Sequence, residues 1–283
     1  RIRMSSGSQI SYPIVNGEAV ADFGEFTCET EEAVEGTCGT GSRMSVSSIS
    51  KSTGIKRSVV IDTVDDTEGL LYIRTFYTAL KDQVEADGFV DSEFALASPE
   101  DTVWSYNGGG EGPQSRYDTL QKIVLSDSAF FYRENRQDET AAGIPAADIY
   151  SRQGGITVGD ASATRRQLST PLSETQGSVK TSIRRPGNVI TAGNGTETGQ
   201  SFVTAHPGDY YMGLRGYAEG MKKLGFTTLS REQIPESSYD LRWESWGWEF
   251  DWTIDLILNK LDELERLGVK QITLDDGWYR NSG

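Results

Sequence analysis

Leu241-Arg-Trp-Glu-Ser-Trp-Gly-Trp-Glu249 and Val269-Lys-Gln-Ile-Thr-Leu-Asp-Asp-Gly-Trp-Tyr279 are the two stretches whose reading decides the fold. Between them, apolar residues stand at 254, 257, 258, 261, 264 and 267, the spacing of one helical face. Asp251 or Thr253 can cap the start of that helix, and Gly268 stands where a left-handed residue would end it. Val269, Ile272 and Leu274 then mark a short apolar strand. Strand, crossover helix, strand is one βαβ unit, the grammar of a parallel sheet.

Ligands of parallel α/β folds bind at the carboxyl ends of the strands. Asp275 and Asp276 occupy such an end, and Trp243, Trp246 and Trp248 follow the preceding strand. Carboxylates accept hydrogen bonds from sugar hydroxyls, and indole faces suit the C–H face of a sugar ring. The same Asp-Asp-Gly also reads as a plain turn, because Asp-Gly is a strong hairpin signal.

Trp243-Glu-Ser-Trp246, a helix, and Leu274-Asp-Asp-Gly-Trp278 together resemble the first two barrel strands of the melibiase-type α-galactosidases, clan-D glycoside hydrolases that retain anomeric configuration. Asp101-Thr-Val-Trp-Ser-Tyr106, Gly143-Ile-Pro-Ala-Ala-Asp-Ile-Tyr150, Gly154-Gly-Ile-Thr-Val-Gly159 and Gly208-Asp-Tyr-Tyr211 look like the same family. The resemblance covers roughly residue 101 to the end. It implies that Asp275 and Asp276 hold the O4 and O6 hydroxyls of the sugar, and that Trp246 lies against its ring. Trp243 and Trp278 read as packing residues, and Glu249 as a helix-entry residue.

Asp275 and Asp276 do not read as the catalytic pair. A retaining glycosidase sets its nucleophile and acid/base carboxyls about 5–5.5 Å apart across one bond, whereas neighbouring strand residues point to opposite faces. The resemblance implies a nucleophilic Asp after barrel strand 4 and an acid/base Asp after strand 6, both expected beyond Gly283. Two parallel strands and a helix are the start of a (β/α)8 barrel, so the chain reads as a fragment, inactive by itself.

Upstream, short β-branched and aromatic runs broken by Gly, Asn, Asp and Ser recur at Met44–Ser50, Ile55–Asp62, Leu70–Leu80, Leu120–Arg133, Gly154–Gly159 and Ser178–Arg184. Val179, Thr181 and Ile183 alternate with Lys180, Ser182 and Arg184, the pattern of a half-buried antiparallel strand. These runs predict a mostly β domain, and the resemblance implies a β-supersandwich. A linker helix follows, with Tyr211, Leu214, Tyr217 or Ala218, Met221 and Leu224 on one face, Asp209 as cap and Gly225 as stop. The expected division is residues 1–235 as the sandwich with its helix and 236–283 as the start of the barrel.

The formal net charge of −15 argues against nucleic acid and anionic membranes as partners. No apolar run reaches the length of a membrane span. Cys28 and Cys38, with a single histidine, make no zinc site, and no metal or cofactor is expected. Whether the two cysteines are bridged stays open, as do oligomeric state and localisation. His206 has no Ser or Cys nucleophile motif beside it and reads as structural. The Gly-rich stretch after Tyr106 lacks the Gly-Lys-Ser/Thr ending of a phosphate loop. It reads as a surface loop whose aromatics Trp104 and Tyr106 contact sugar.

Function therefore reads as part of a hydrolase of terminal α-galactosyl residues, with an α-galactoside oligosaccharide as partner. The alternatives are a transglycosidase of the raffinose-synthase type or an α-N-acetylgalactosaminidase, and, in a different class, a non-catalytic carbohydrate-binding sandwich.

Overall fold

The structure, a computed structural model, describes residues 3–4, 10–36, 38–97, 102–107, 120–124, 131–137, 146–162, 168–175, 178–227, 229–248 and 252–275. The chain divides into two units, Arg1–Phe226 and Thr227–Gly283.

The first unit contains β1 (Arg3–Met4), β2 (Ile10–Val15), β3 (Glu18–Ala19), β4 (Phe23–Gly36), β5 (Gly39–Ser50), β6 (Ile55–Thr63), β7 (Leu70–Ala79) and β8 (Val84–Ala97). It continues with β9 (Thr102–Asn107), β10 (Leu120–Val124), β11 (Phe131–Gln137), β12 (Ala146–Ser151), β13 (Gly154–Asp160), β14 (Leu168–Thr175), β15 (Ser178–Ile190), β16 (Thr196–His206) and helix α1 (Tyr210–Lys223). One sheet has the order β11-β14-β15-β8-β2-β3 with β1 also on β8, and the other runs β10-β9-β12-β13-β16-β7-β6-β5-β4. Every strand pairing in these two sheets is antiparallel.

Alternation puts the apolar face of each sheet inward. Val179, Thr181 and Ile183 are buried, as their spacing predicts, and Val179 and Ile183 join Phe94 in packing on Val59, Ile73, Val103, Ile149 and Val158 of the opposite sheet. Ser182 is buried too, at a shift in register between Thr181 and Ile183. A second cluster stacks Tyr77 on Phe89, ring centroids 5.4 Å apart, with Ile55 and Ile190 around them. A third lies on the other face of the larger sheet. There Leu70, Tyr72 and Phe202 receive Tyr217, Met221 and Leu224 from α1. The helix is thus a third layer over the sandwich.

Polar groups also cross the interior. Arg185 of β15 donates from Nε to Asp91 Oδ2 and from Nη1 to Asp160 Oδ1, both at 2.7 Å, and its side chain is 1% exposed. Asp91 lies on β8 and Asp160 on β13, so the guanidinium bridges the two sheets. Burial works against its charge, but the two carboxylates outweigh that and hold the Arg185 pKa above its ordinary value. Thr198 Oγ1 donates to the same Asp91 oxygen at 2.6 Å, and Ser92 and Ser201 share a hydrogen bond nearby.

The acidic segment through Glu25–Gly36, for which the sequence marks no element, forms most of β4, paired among the described residues with β5 at the sheet edge, where its exposed carboxylates deter further pairing. Other expectations need correction. Leu120–Arg133 is not one run: β10 lies in the larger sheet and β11 begins in the smaller. For α1, Asp209 Oδ1 does accept from the Tyr211 amide at 3.1 Å, and Gly225 follows with φ 89°. The predicted stripe faces the sheet through Tyr217, Met221 and Leu224, whereas Tyr211 is exposed, and Gly213 and Gly220 are the buried residues of the same helix. Small residues let the helix backbone approach the sheet closely enough for Tyr72 Oη to donate to the Gly220 carbonyl at 2.7 Å.

The second unit holds β17 (Leu241–Glu244), α2 (Ile254–Leu258), α3 (Leu261–Arg266) and β18 (Val269–Thr273), with 3-10 turns at Arg231–Gln233, Glu236–Tyr239 and Ser245–Trp248. β17 and β18 pair in parallel, Trp243 opposite Ile272 and Glu244 opposite Thr273, so the βαβ unit is present. The crossover helix is interrupted at Asn259 and Lys260, giving two short helices where the periodicity predicts one. Thr253 Oγ1 caps the first by accepting from the Leu256 amide, and Gly268 closes the second with φ 84°. Of the expected apolar stripe only Ile257 is buried; Ile254, Leu258, Leu261 and Leu267 are exposed.

Candidate functional site

The carboxyl ends of β17 and β18 bring two of the sequence-predicted residues to one end of the parallel pair. Beyond Glu244 the chain leaves the ladder and enters the 3-10 turn that carries Trp246, which is 57% exposed. Across from it, β18 runs out through Leu274 into Asp275, whose side of the junction is half-buried. The Asp275 amide donates to Ser245 Oγ at 2.8 Å, so the two strand ends are tied by a side chain rather than by another ladder rung. Ser245 went unnoticed in the sequence. Its only signal there is a small hydroxyl residue at the first position after a strand.

Trp243 lines a recess of about 250 Å³ with Ile257, Leu264 and Leu267, on the helix side of the strand pair, as suits a packing residue. Asp276, Trp278 and Glu249 lie outside the described residues. This end of the unit carries a solvent-facing indole at Trp246 and a carboxylic side chain at Asp275, with the Ser245 hydroxyl tying the two strand ends. In general a carboxylate can accept from sugar hydroxyls and an indole can cover C–H groups.

His206 belongs to a different cluster in the first unit. Its Nε2 shares a 2.7 Å hydrogen bond with Asp148 Oδ2, which also accepts from Thr157 Oγ1 at 2.5 Å. All three are buried beneath Gly213 of α1, where a Cβ would stand 2.2 Å from Thr157 Oγ1 and 2.5 Å from Asp148 Oδ2. This burial and pairing suit the structural reading of His206. Trp104 stacks on Tyr150 with centroids 5.9 Å apart, and Tyr106 on Tyr210 at 4.8 Å. Tyr210 in turn hydrogen-bonds Tyr211, which, with burial, pushes its pKa up to about 12. The glycine-rich stretch after Asn107 lies outside the described residues.

Cys28 and Cys38 are free thiols. Cys38 lines a cavity of about 360 Å³ with Tyr72, Arg43, Asp62 and Arg74, and burial pushes its thiol pKa up. Asp62 accepts from Arg43 Nε at 2.6 Å and from Arg74 Nη2 at 3.3 Å, an ion-pair cluster that ties β5, β6 and β7 together. Among the described residues no three His, Cys, Asp or Glu side chains gather to hold a metal ion, and no helix is long and apolar enough to cross a membrane.

The architecture is shared with solved glycoside hydrolases. GH36 α-galactosidase AgaA from Geobacillus stearothermophilus superposes with a TM-score of 0.55 at 11% identity, covering 98% of this chain and 41% of that one. The α-N-acetylgalactosaminidase NagBb from Bifidobacterium bifidum gives 0.53 at 10% identity, over 96% of this chain and 46% of that one. No family model matches. In sequence, the chain is 55% identical over 282 residues to the A type blood alpha-D-galactosamine galactosaminidase of Flavonifractor plautii, a match that takes in 100% of this chain and 26% of that protein. The chain therefore spans about a quarter of the length of this curated relative. The resemblance drawn from Trp243–Trp246 and Leu274–Trp278 thus holds in fold toward the α-galactosidases, and the sequence similarity that runs along the whole chain is to a galactosaminidase.

Proposed function

We propose that this chain is the amino-terminal part of a longer retaining glycoside hydrolase that releases terminal α-linked sugars of galacto configuration, D-galactosamine foremost. The observation that carries this reading is the 55% identity, without a gap in coverage, to a galactosaminidase. In this reading residues 1–235 are the sandwich with its helix, and 236–283 open a (β/α)8 barrel. The exposed Ile254, Leu258, Leu261 and Leu267 support it, because a lone βαβ unit leaves apolar faces that further strands and helices of a barrel would cover.

At the opening strands Trp246 lies against the sugar ring, while Asp275 and Asp276 accept hydrogen bonds from its O4 and O6 hydroxyls. A carboxylate accepting from a hydroxyl is a charge-assisted bond, stronger than a neutral one, and the axial O4 of a galacto sugar gives it a direction to select. The nucleophile and the acid/base are supplied by other strands, so the chain by itself binds or supports without cleaving. The test is an assay of the longer protein on 4-nitrophenyl α-D-galactosaminide, α-D-galactoside and N-acetyl-α-D-galactosaminide, with the product anomer followed by NMR. Highest kcat/KM on the galactosaminide, with α-product formed first, supports the reading. Activity on none of the three, or inversion, overturns it.

A further inference from the structure

Ser245 sits between two residues that face solvent, Glu244 and Trp246, yet it is 0% exposed. Its place explains why. The β17–β18 ladder ends at Glu244 opposite Thr273, after which β17 coils into the 3-10 turn and its carbonyls no longer face β18. Asp275 lies two residues past that last rung. Its amide finds its acceptor in Ser245 Oγ, at 2.8 Å.

We propose that Ser245 is a positioning residue for sugar recognition: its hydroxyl replaces the missing ladder rung and fixes the backbone from which Asp275 directs its carboxylate. The inference rests on the sugar-binding reading of Asp275 given above. The same serine opens the turn that carries Trp246, so one hydroxyl sets the spacing between the ring-stacking indole and the hydroxyl-accepting carboxylate. Alanine leaves the Asp275 amide without this acceptor.

A contact that acts equally in ground and transition states shows its loss in KM rather than kcat, and the Asp275 contact is assigned to that kind. In the longer protein, Ser245→Ala is expected to raise KM on the preferred galacto substrate about five- to tenfold, the worth of one buried hydrogen bond. In that variant kcat and Tm stay near the parent values. Ser245→Thr, which keeps the oxygen, should restore KM. Asp275→Asn is measured alongside. If Asp275→Asn raises KM and Ser245→Ala does not, the positioning role falls while the site assignment stands. An unchanged KM in both variants removes the site assignment and this inference with it. If alanine and threonine variants lose Tm and activity together and equally, Ser245 is structural only, and the inference is overturned.

Discussion

The two units of this molecule treat the same kind of residue in opposite ways. In Arg1–Phe226, the β-branched and aromatic residues of alternating strands disappear into clusters between and over the sheets, and even an arginine and two aspartates are sealed inside. In Thr227–Gly283, the helical stripe that periodicity marks as a core face stays largely exposed, with Ile257 and Trp252 as its buried apolar anchors among the described residues. The first unit has open ion pairs such as Lys51–Glu25 beside its sealed one at Arg185, whereas Lys260–Glu263 and Lys270–Asp240 of the second unit each keep at least one partner well exposed. An apolar pattern specifies which face of an element is to be covered, and covering it takes a second layer. The sandwich has its layers within the described residues, and the βαβ unit does not.

Removing Arg185 should give the largest effect that separates the two regions. Arg185→Ala leaves Asp91 and Asp160 buried without their cation, and the sandwich should lose about 3–5 kcal/mol in urea unfolding. Lys260→Ala, which breaks an exposed pair, should change stability by less than about 1 kcal/mol. Equal effects would dissolve the contrast. Next comes a matched aliphatic pair. Ile183 is 0% exposed and Leu258 is 56% exposed, so Ile183→Ala should cost about 2–5 kcal/mol and Leu258→Ala within about 0.5 kcal/mol in the isolated chain. Repeating Leu258→Ala in the longer protein sharpens the point, because a substantial loss there would show that another layer covers this face.

The smallest effect is one of pH. The Lys223 ammonium holds the Asp66 carboxyl below its ordinary value of 3.8, with Thr67 adding a hydrogen bond. A carboxyl depressed on folding contributes stability above its unfolded pKa and loses it as pH falls through the folded one. The Asp66 contribution is therefore present at pH 5 and fades below about 3.8. Asp66→Asn should flatten that part of the stability profile slightly, and added salt should erase the difference. A profile unchanged by the substitution at low salt would remove the pair from the account.

The sandwich was legible where strands alternate, because burial on one face writes itself into a period of two. Val179, Thr181 and Ile183 are buried as that period predicts, though Ser182 between them is buried as well at a register shift. β4 was not legible: a strand at the sheet edge is free to be acidic, and its run of carboxylates carries no apolar alternation to mark it. The contact face of α1 was legible at Tyr217, Met221 and Leu224 but not at Gly213 and Gly220, since glycines are invisible to hydrophobic periodicity. At the candidate site, Trp246 and Asp275 were found through strand-end logic and resemblance. Ser245 was not, since its meaning depends on where two strands stop relative to each other. Arg185, Asp91 and Asp160 are likewise scattered along the chain and meet only through the pairing of sheets.

Gly213 has a consequence for how this sequence is able to vary. Its missing side chain leaves the space filled by Thr157 and Asp148, with His206 Nε2 3.1 Å from where a Cβ would be. Among related sequences, positions 148, 157, 206 and 213 should therefore be inherited as a set: a side chain at 213 should appear only where Thr157 or Asp148 has shrunk. Any pair drawn from these four should covary more strongly than neighbours along either strand or helix.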